Sequence, residues 1–413
     1  MRNMAIAVHR YVGLVMAVFL IVAGVTGSVL TFYGELDRAL NPGLMQPQPV
    51  RDAPALLEPF ELTERIQAQL PRGQHYWTVH FERKPLHAVS GWVNVGKDAS
   101  RELFANPYSG AVLGSRDWGN LTEGKQNLMP FLYRLHYSLA LGDMGVWLLG
   151  GVALLWTLDC FVGAYLTFPP ARKRAPVSPQ AGGSAADGGG TRASWFRRWL
   201  PAWLIRTNKL FAFVFTWHRA SGLWIWAMLL VFAWSAVGLN LPRVYEPAMG
   251  LLGGLEPGVH EKLPELKWPY PAPALTWGQA HSTAQRWMTV ESERRGFAIN
   301  SERSLSYLED HGVYVYSVAS SLEISTKYPR TSVYFDGKDG HFVGFEADSG
   351  IGFASTLTSW LYALHFAALP GLWYRLFVAL MGLMVAALSV TGVWIWWRKR
   401  SKRLAHEPER NAK

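Results

Sequence analysis

The chain has 413 residues, half of them hydrophobic, with 20 Trp, only 17% charged side chains and a formal net charge of +10. This balance argues against a single water-soluble globular unit and leaves room for several membrane spans joined by soluble segments. The one cysteine, Cys160, excludes an internal disulfide, a covalently attached c-type haem, cysteine-ligated iron–sulfur clusters and cysteine-based structural zinc.

Residues 1–34 carry the first apolar stretch, Tyr11 to Tyr33, opened by His9-Arg10-x-x-Gly13-Leu14. Its basic start suggests a secretion signal, but the run is about 23 residues long and lacks an Ala-x-Ala site, so a retained span is expected. Residues 35–130 read as an α/β segment. They comprise a helix from Glu61 to Leu70, strands over Tyr76 to Glu82 and Gly91 to Val95, and a run from Arg101 to Ala105 leading into the turn Asn106-Pro-Tyr-Ser-Gly-Ala before Val112.

Residues 131–168 begin with Leu132-Tyr133-Arg134-Leu135-His136 and hold a second stretch, Val146 to Phe168. A linker follows over 169–213, with a Gly- and Ser-rich part from Pro176 to Gly190 that predicts a flexible tether. After it, the Trp- and Arg-rich run from Trp195 to Leu204 is expected to lie on the inner-leaflet surface.

The third stretch, Val214 to Leu239 within 214–240, contains a copy of the first entry, His218-Arg219-x-x-Gly222-Leu223. Residues 241–359 repeat the α/β theme, with a helix from Thr276 to Thr289, strands over Gly312 to Val318 and Thr331 to Phe335, and a hairpin turn at Asp336-Gly-Lys-Asp-Gly. Residues 360–397 open with Leu361-Tyr362-Ala363-Leu364-His365 and hold the fourth stretch, Trp373 to Trp397, before a basic tail over 398–413. At about 1.5 Å per residue each stretch can cross a hydrocarbon layer of about 30 Å. The expected fold is an α-helical transmembrane four-helix bundle, made of two duplicated helix pairs, with two external α/β domains.

Charge gives the orientation. Residues 169–213 carry eight Lys or Arg against one acid, and the tail from Arg398 carries seven against two. The segments 35–130 and 241–359 hold ten basic with eleven acidic residues and ten with fourteen. Both termini and the linker are therefore expected in the cytoplasm and the two α/β segments outside, as in a bacterial inner membrane. The positive charge thus reports topology, and no basic face with interleaved aromatics points to nucleic acid.

Four histidines keep a register across the duplication. From His136 to Gly163 is 27 residues, and from His365 to Gly392 it is 27 again. A histidine at the edge of an apolar span is costly unless it faces the interior and finds a partner. His9 and His218 start spans that run outward, while His136 and His365 precede spans that run inward. Same-depth pairing then gives one site of His9 with His218 and another of His136 with His365. Two protein ligands are too few for structural zinc, whereas haem brings four equatorial nitrogens and asks only for axial ligands. Two b-type haems with bis-histidine ligation fit the count.

Gly13 and Gly222, one turn after His9 and His218, would leave room for a flat macrocycle. Arg10 and Arg219 could pair with haem propionates. Gly24, Gly27, Gly150 and Gly151 are expected at close helix contacts. Asp159 is the one acid deep within a span, with Arg10, Arg219, Thr157 or a propionate as candidate partners, and its counterpart in the second half is Leu388. His75, His80, His87, His260, His281, His311 and His341 read as polar surface residues, and His406 carries no signal.

The α/β segments resemble PepSY domains in their helix-then-meander order and in the ending Asn106-Pro-Tyr-Ser-Gly-Ala-Val-Leu-Gly. The whole chain resembles the PepSY-associated transmembrane family, and within it the ferric-siderophore reductases of the ferrioxamine type. The likeness rests on His9-Arg10-Tyr11-Val12-Gly13-Leu14, Gly24-Val-Thr-Gly27, the Leu-Tyr-x-Leu-His pairs and Thr391-Gly392-Val393. It implies an inner-membrane oxidoreductase in contact with lipid, taking electrons from a cytoplasmic donor such as a flavin reductase and passing them to a ferric siderophore outside. Relatives fused to a flavin reductase exist, and the residues after the fourth stretch are too few for that part. Two alternatives stay open: a haem chain serving another periplasmic acceptor, or a membrane-anchored PepSY module that binds or regulates without catalysis.

Overall fold

A computed structural model describes residues 1–47, 55–96, 99–170, 194–256, 258–328 and 330–411, with side chains described as far as 402. The expected tether from Pro176 to Gly190 lies outside the described residues. In chain order, α1 (Arg2–Leu30) is followed by α2 (Tyr33–Leu40), α3 (Pro42–Met45) and α4 (Pro59–Gln67). Strands β1 (Thr78–His80), β2 (Val89–Gly96), β3 (Ala99–Ala105) and β4 (Val112–Arg116) lead to α5 (Leu128–Ser138) and α6 (Asp143–Thr167). Beyond the linker come α7 (Trp195–Trp199), α8 (Leu210–Trp224), α9 (Trp226–Asn240), α10 (Pro242–Gly250) and α11 (Trp277–Arg295). Strands β5 (Ile299–Leu308), β6 (Val313–Ser320), β7 (Ser332–Asp336) and β8 (Phe342–Glu346) precede α12 (Phe353–His365) and α13 (Leu372–Asn411).

The expectation of a four-helix transmembrane bundle is corrected here. Among the described residues, three helices are long and apolar enough to cross a membrane: α1, α6 and the part of α13 from Leu372 to Lys402. The third apolar stretch is broken into α8 and α9, bent by 69°, and counts as a fourth span only if the bent pair is taken as one. The break follows the Ser221-Gly222 pair by one turn, and Ile225 sits at φ −104°, ψ 10°, outside helical geometry. A window sum of hydropathy cannot register such a break, because every residue around it remains apolar. α13 also continues to Asn411 through residues expected to form a tail.

The described chain divides into two compact units, one of residues 1–25, 148–237 and 381–413, the other of 26–147 and 238–380. In the first unit, a Cβ on Gly24 would lie 2.5 Å from the carbonyl oxygen of Gly382, so α1 and α13 approach backbone to backbone. Met16, Ala17, Ala220, Ala233 and Val385 are buried, whereas Val15, Val18, Leu158, Phe161 and Val390 are exposed, as lipid-facing side chains must be. The indole of Trp226, at the start of α9, donates to the Cys160 carbonyl at 2.9 Å. The Trp-rich run forms α7 and a 3-10 turn, with Trp195, Trp199 and Trp203 in a chain of ring contacts.

The second unit holds two antiparallel sheets, ordered β2-β3-β4 and β1-β5-β6-β7-β8. Strand β1 from the first α/β segment therefore edges the sheet of the second, with Thr78, Val79 and His80 opposite Ser306, Leu305 and Ser304. Helix α11 starts at a Thr276/Gln279 capping box and stops at Gly296, whose φ of +72° favours glycine. Its Ala280, Ala284 and Met288, one turn apart, bury against Leu305, Tyr314, Tyr316, Val333 and Phe335. Leu62 and Ile66 of α4 likewise cover Val89, Val93 and Leu103. Arg116, 1% exposed, forms ion pairs with Asp37 at 2.9 Å and Glu102 at 2.8 Å.

Candidate cofactor site

The first histidine pair lies wholly within the first unit. His9 comes from α1 and His218 from α8, with ring centroids 6.3 Å apart and planes at 61°. Their Nδ1 atoms are engaged by the other two helices. Nδ1 of His9 lies 3.0 and 2.9 Å from the two carboxylate oxygens of Asp159 on α6. Nδ1 of His218 lies 3.0 Å from Oγ1 of Thr391 on α13, and that hydroxyl donates to the Ala387 carbonyl at 2.8 Å. An ionised carboxylate only accepts, and a hydroxyl whose proton is already donated also accepts. In the tautomer from which these partners accept, each histidine has its proton on Nδ1 and its Nε2 lone pair open to a ligand, the arrangement that orients metal-bound imidazoles.

Gly163 on α6 and Gly392 on α13 lie beside the rings: a Cβ at either would sit at contact distance, 3.4 Å from Cε1 of His9 or His218. The two imidazoles line a cavity of about 430 Å³, whose walls include Gly13, Gly222, Trp226 and Leu223. Cofactor sites typically enclose about 300–1,000 Å³. A Cβ on Gly13 would meet nothing within 4 Å, so this glycine borders open space. Arg2, Arg10, Arg219 and Lys399 also line the cavity. Arg219 differs from expectation: it donates to the backbone carbonyls of Pro201 and Ala202, which hold it to the 3-10 turn.

The second pair belongs to the second unit. His136 is in the last turn of α5 and His365 ends α12, with ring centroids 6.2 Å apart and planes at 80°. Both histidines end short helices that stop before α6 and α13 begin, because Leu139, Ala140 and Ala367 take positive φ values of 53°, 56° and 50°. Nδ1 of His136 lies 3.1 Å from Oγ1 of Thr26 on α1. Gly27, expected at a helix contact, faces this ring instead: a Cβ there would be 2.9 Å from Cε1 of His136.

A haem group fits these residues. Two imidazoles on opposite sides of one ion, each bound at about 2.0 Å, place their ring centroids roughly 6.3 Å apart, and the measured separations are 6.3 and 6.2 Å. Tetrahedral zinc is a poorer match for the first pair, where both oxygens of the nearest carboxylate are directed to Nδ1 of His9. Among the described residues, the group of three possible metal ligands is Asp336, Asp339 and His341, at the β7–β8 turn, and it includes none of the four paired histidines.

Sequence reasoning missed Thr26, Thr391, Gly27, Gly163 and Gly392 as the histidines' neighbours. Their signal was present in Gly24-Val-Thr-Gly27 and Thr391-Gly392, each a hydroxyl beside a glycine in an apolar helix. Asp159 pairs with His9, a partner absent from the four considered. Some histidines read as surface residues are also engaged. His281 bonds Glu302 at 2.6 Å, and His80 bonds the Tyr76 hydroxyl at 2.8 Å.

No curated protein matches the chain. The pattern of the PepSY-associated TM region family matches residues 6–399, which takes in all four histidines. The chain is therefore a multi-pass membrane protein that belongs to the PepSY-associated TM region family.

Proposed function

We propose that this chain is a di-haem oxidoreductase of the bacterial inner membrane, passing electrons from a cytoplasmic donor, such as a flavin reductase, to a ferric siderophore outside. The observation that carries this reading is the pair of imidazole couples at the spacing of axial ligands, two with their Nδ1 protons fixed on Asp159 and Thr391. Bound b-type haem would supply one-electron Fe(III)/Fe(II) exchange. The chain's own part is to hold the rings. His9 and His218 would hold one haem and His136 and His365 the other, and with an imidazole pair at each site exchange with the acceptor would be outer-sphere. Glycine at 27 admits the His136 ring, and the apolar side chains of Leu14, Met16, Leu223 and Trp226 line the cavity of the first pair.

The lysine and arginine excess in 169–213 and after 398 supports a cytoplasmic face for the first pair and for both termini. One electron delivered to a siderophore converts Fe(III) to Fe(II), which hard oxygen ligands hold less well, so iron is released. Purified protein from haem-replete cells is expected to contain two haems b by pyridine haemochrome assay. After dithionite reduction and removal of excess reductant, it should reoxidise on adding ferric hydroxamate, with Fe(II) trapped by a ferrous chelator. Reoxidation only by a periplasmic protein, a sulfoxide or a copper complex would favour another acceptor. Preparations without a Soret band would leave the anchored PepSY module.

A further inference from the structure

The four histidines share a register, but the partners of His9, His218 and His136 differ in charge. Asp159 sets both carboxylate oxygens within 3.0 Å of Nδ1 of His9. His218 and His136 have threonine hydroxyls in the same role, Thr391 and Thr26. Asp159 is 7% exposed, so little water screens its charge. Elsewhere the sequence offers nothing equivalent. Helices α1, α5, α8, α9 and α12, and α13 as far as Lys402, contain no Asp or Glu, and the position matching Asp159 is Leu388.

A carboxylate that accepts the Nδ1 proton pushes electron density onto Nε2 and adds a negative charge beside the ring. Both effects favour the more positive, oxidised state of any iron bound there. We propose that Asp159 is a positioning residue that makes the His9/His218 site the lower-potential of the two, so that an electron entering there runs downhill to the His136/His365 site. This rests on the haem reading above. One electron moves, no bond is made or broken, and the Nδ1 proton stays in its bond to Asp159. The sense matches the charge-derived topology, because the low-potential pair is the one assigned to the cytoplasmic face, where the donor is.

The test is an anaerobic potentiometric titration of the purified full chain, followed optically. Wild type should show two steps, and Asp159→Asn should keep two haems while raising only the lower step, by at least tenfold in the reduction equilibrium or about 59 mV. Asp159→Glu should restore the low step. The same variants should change the EPR signal of one oxidised haem and leave the other as it was. If Asp159→Asn loses a haem, the step that disappears should be the lower one. Loss of the higher step, or two unmoved steps with both haems retained, would overturn the inference and leave the di-haem reading standing. A wild type without haem would overturn both.

Discussion

The two halves of the chain agree at the histidines and disagree almost everywhere else. A Cβ on Gly163 would lie 3.4 Å from Cε1 of His9, and one on Gly392 the same distance from Cε1 of His218. Around that shared element, α1 is one continuous helix while its counterpart is broken into α8 and α9, and of the four strands in each half only β1 leaves its own sheet for the other. The imidazole on α1 has a carboxylate partner, and the one on α8 has a hydroxyl. What both copies keep marks what the site requires; what differs marks where helix shape and charge were free to change.

The largest effects should fall on what the halves share. His9→Ala and His136→Ala are each expected to lower the haem count from two to one. Unequal losses in a haemochrome assay would break the equivalence of the pairs. Next comes a feature of the first α/β segment. Asp37→Ala would remove one of the two carboxylates that hold the buried Arg116 and should cost about 3–5 kcal/mol, read as a lower melting temperature by Trp fluorescence. Gly27 is smaller in effect and specific to one half, its counterpart being Ala236. Gly27→Ala should force His136 to move, costing about 1–3 kcal/mol and shifting the optical spectrum of one haem only.

Acid should act through His80, whose pKa burial depresses to about 4. A histidine with a lowered folded pKa leaves the unfolded chain binding more protons once pH falls below about 6.5. Its contribution is therefore complete above that pH and is lost between about 6.5 and 4. Melting curves across this window should flatten in His80→Gln. The smallest change is expected at the exposed Glu61–Arg65 pair, 2.6 Å apart on α4. Glu61→Gln should cost about 0.3–0.5 kcal/mol. A larger loss would show that α4 depends on this pair more than on Leu62 and Ile66.

Much of the local architecture was legible. The strand expected over Gly91 to Val95 lies within β2, and the helix expected over Thr276 to Thr289 is matched by α11, with Thr276 as its N-cap. β5 was not legible, because Asn300, Ser301, Glu302, Arg303 and Ser304 show no apolar alternation. It is a strand because β1 and β6 bond to its two edges. The histidine register could be read because duplication preserves spacing. Their partners could not, since Asp159 lies 150 residues from His9 and Thr391 lies 173 from His218.

Membrane entry, the places where charge concentrates and the recurrence of four imidazoles can be read along the chain, because hydropathy, charge and spacing are properties of neighbours in it. The break of one apolar stretch at Ile225, the pairing of β1 with the far sheet and the ring-centroid separations of 6.3 and 6.2 Å emerge only on folding. Such outcomes depend on which backbone edge finds a partner and which side chain fits against a glycine, and no local pattern records them.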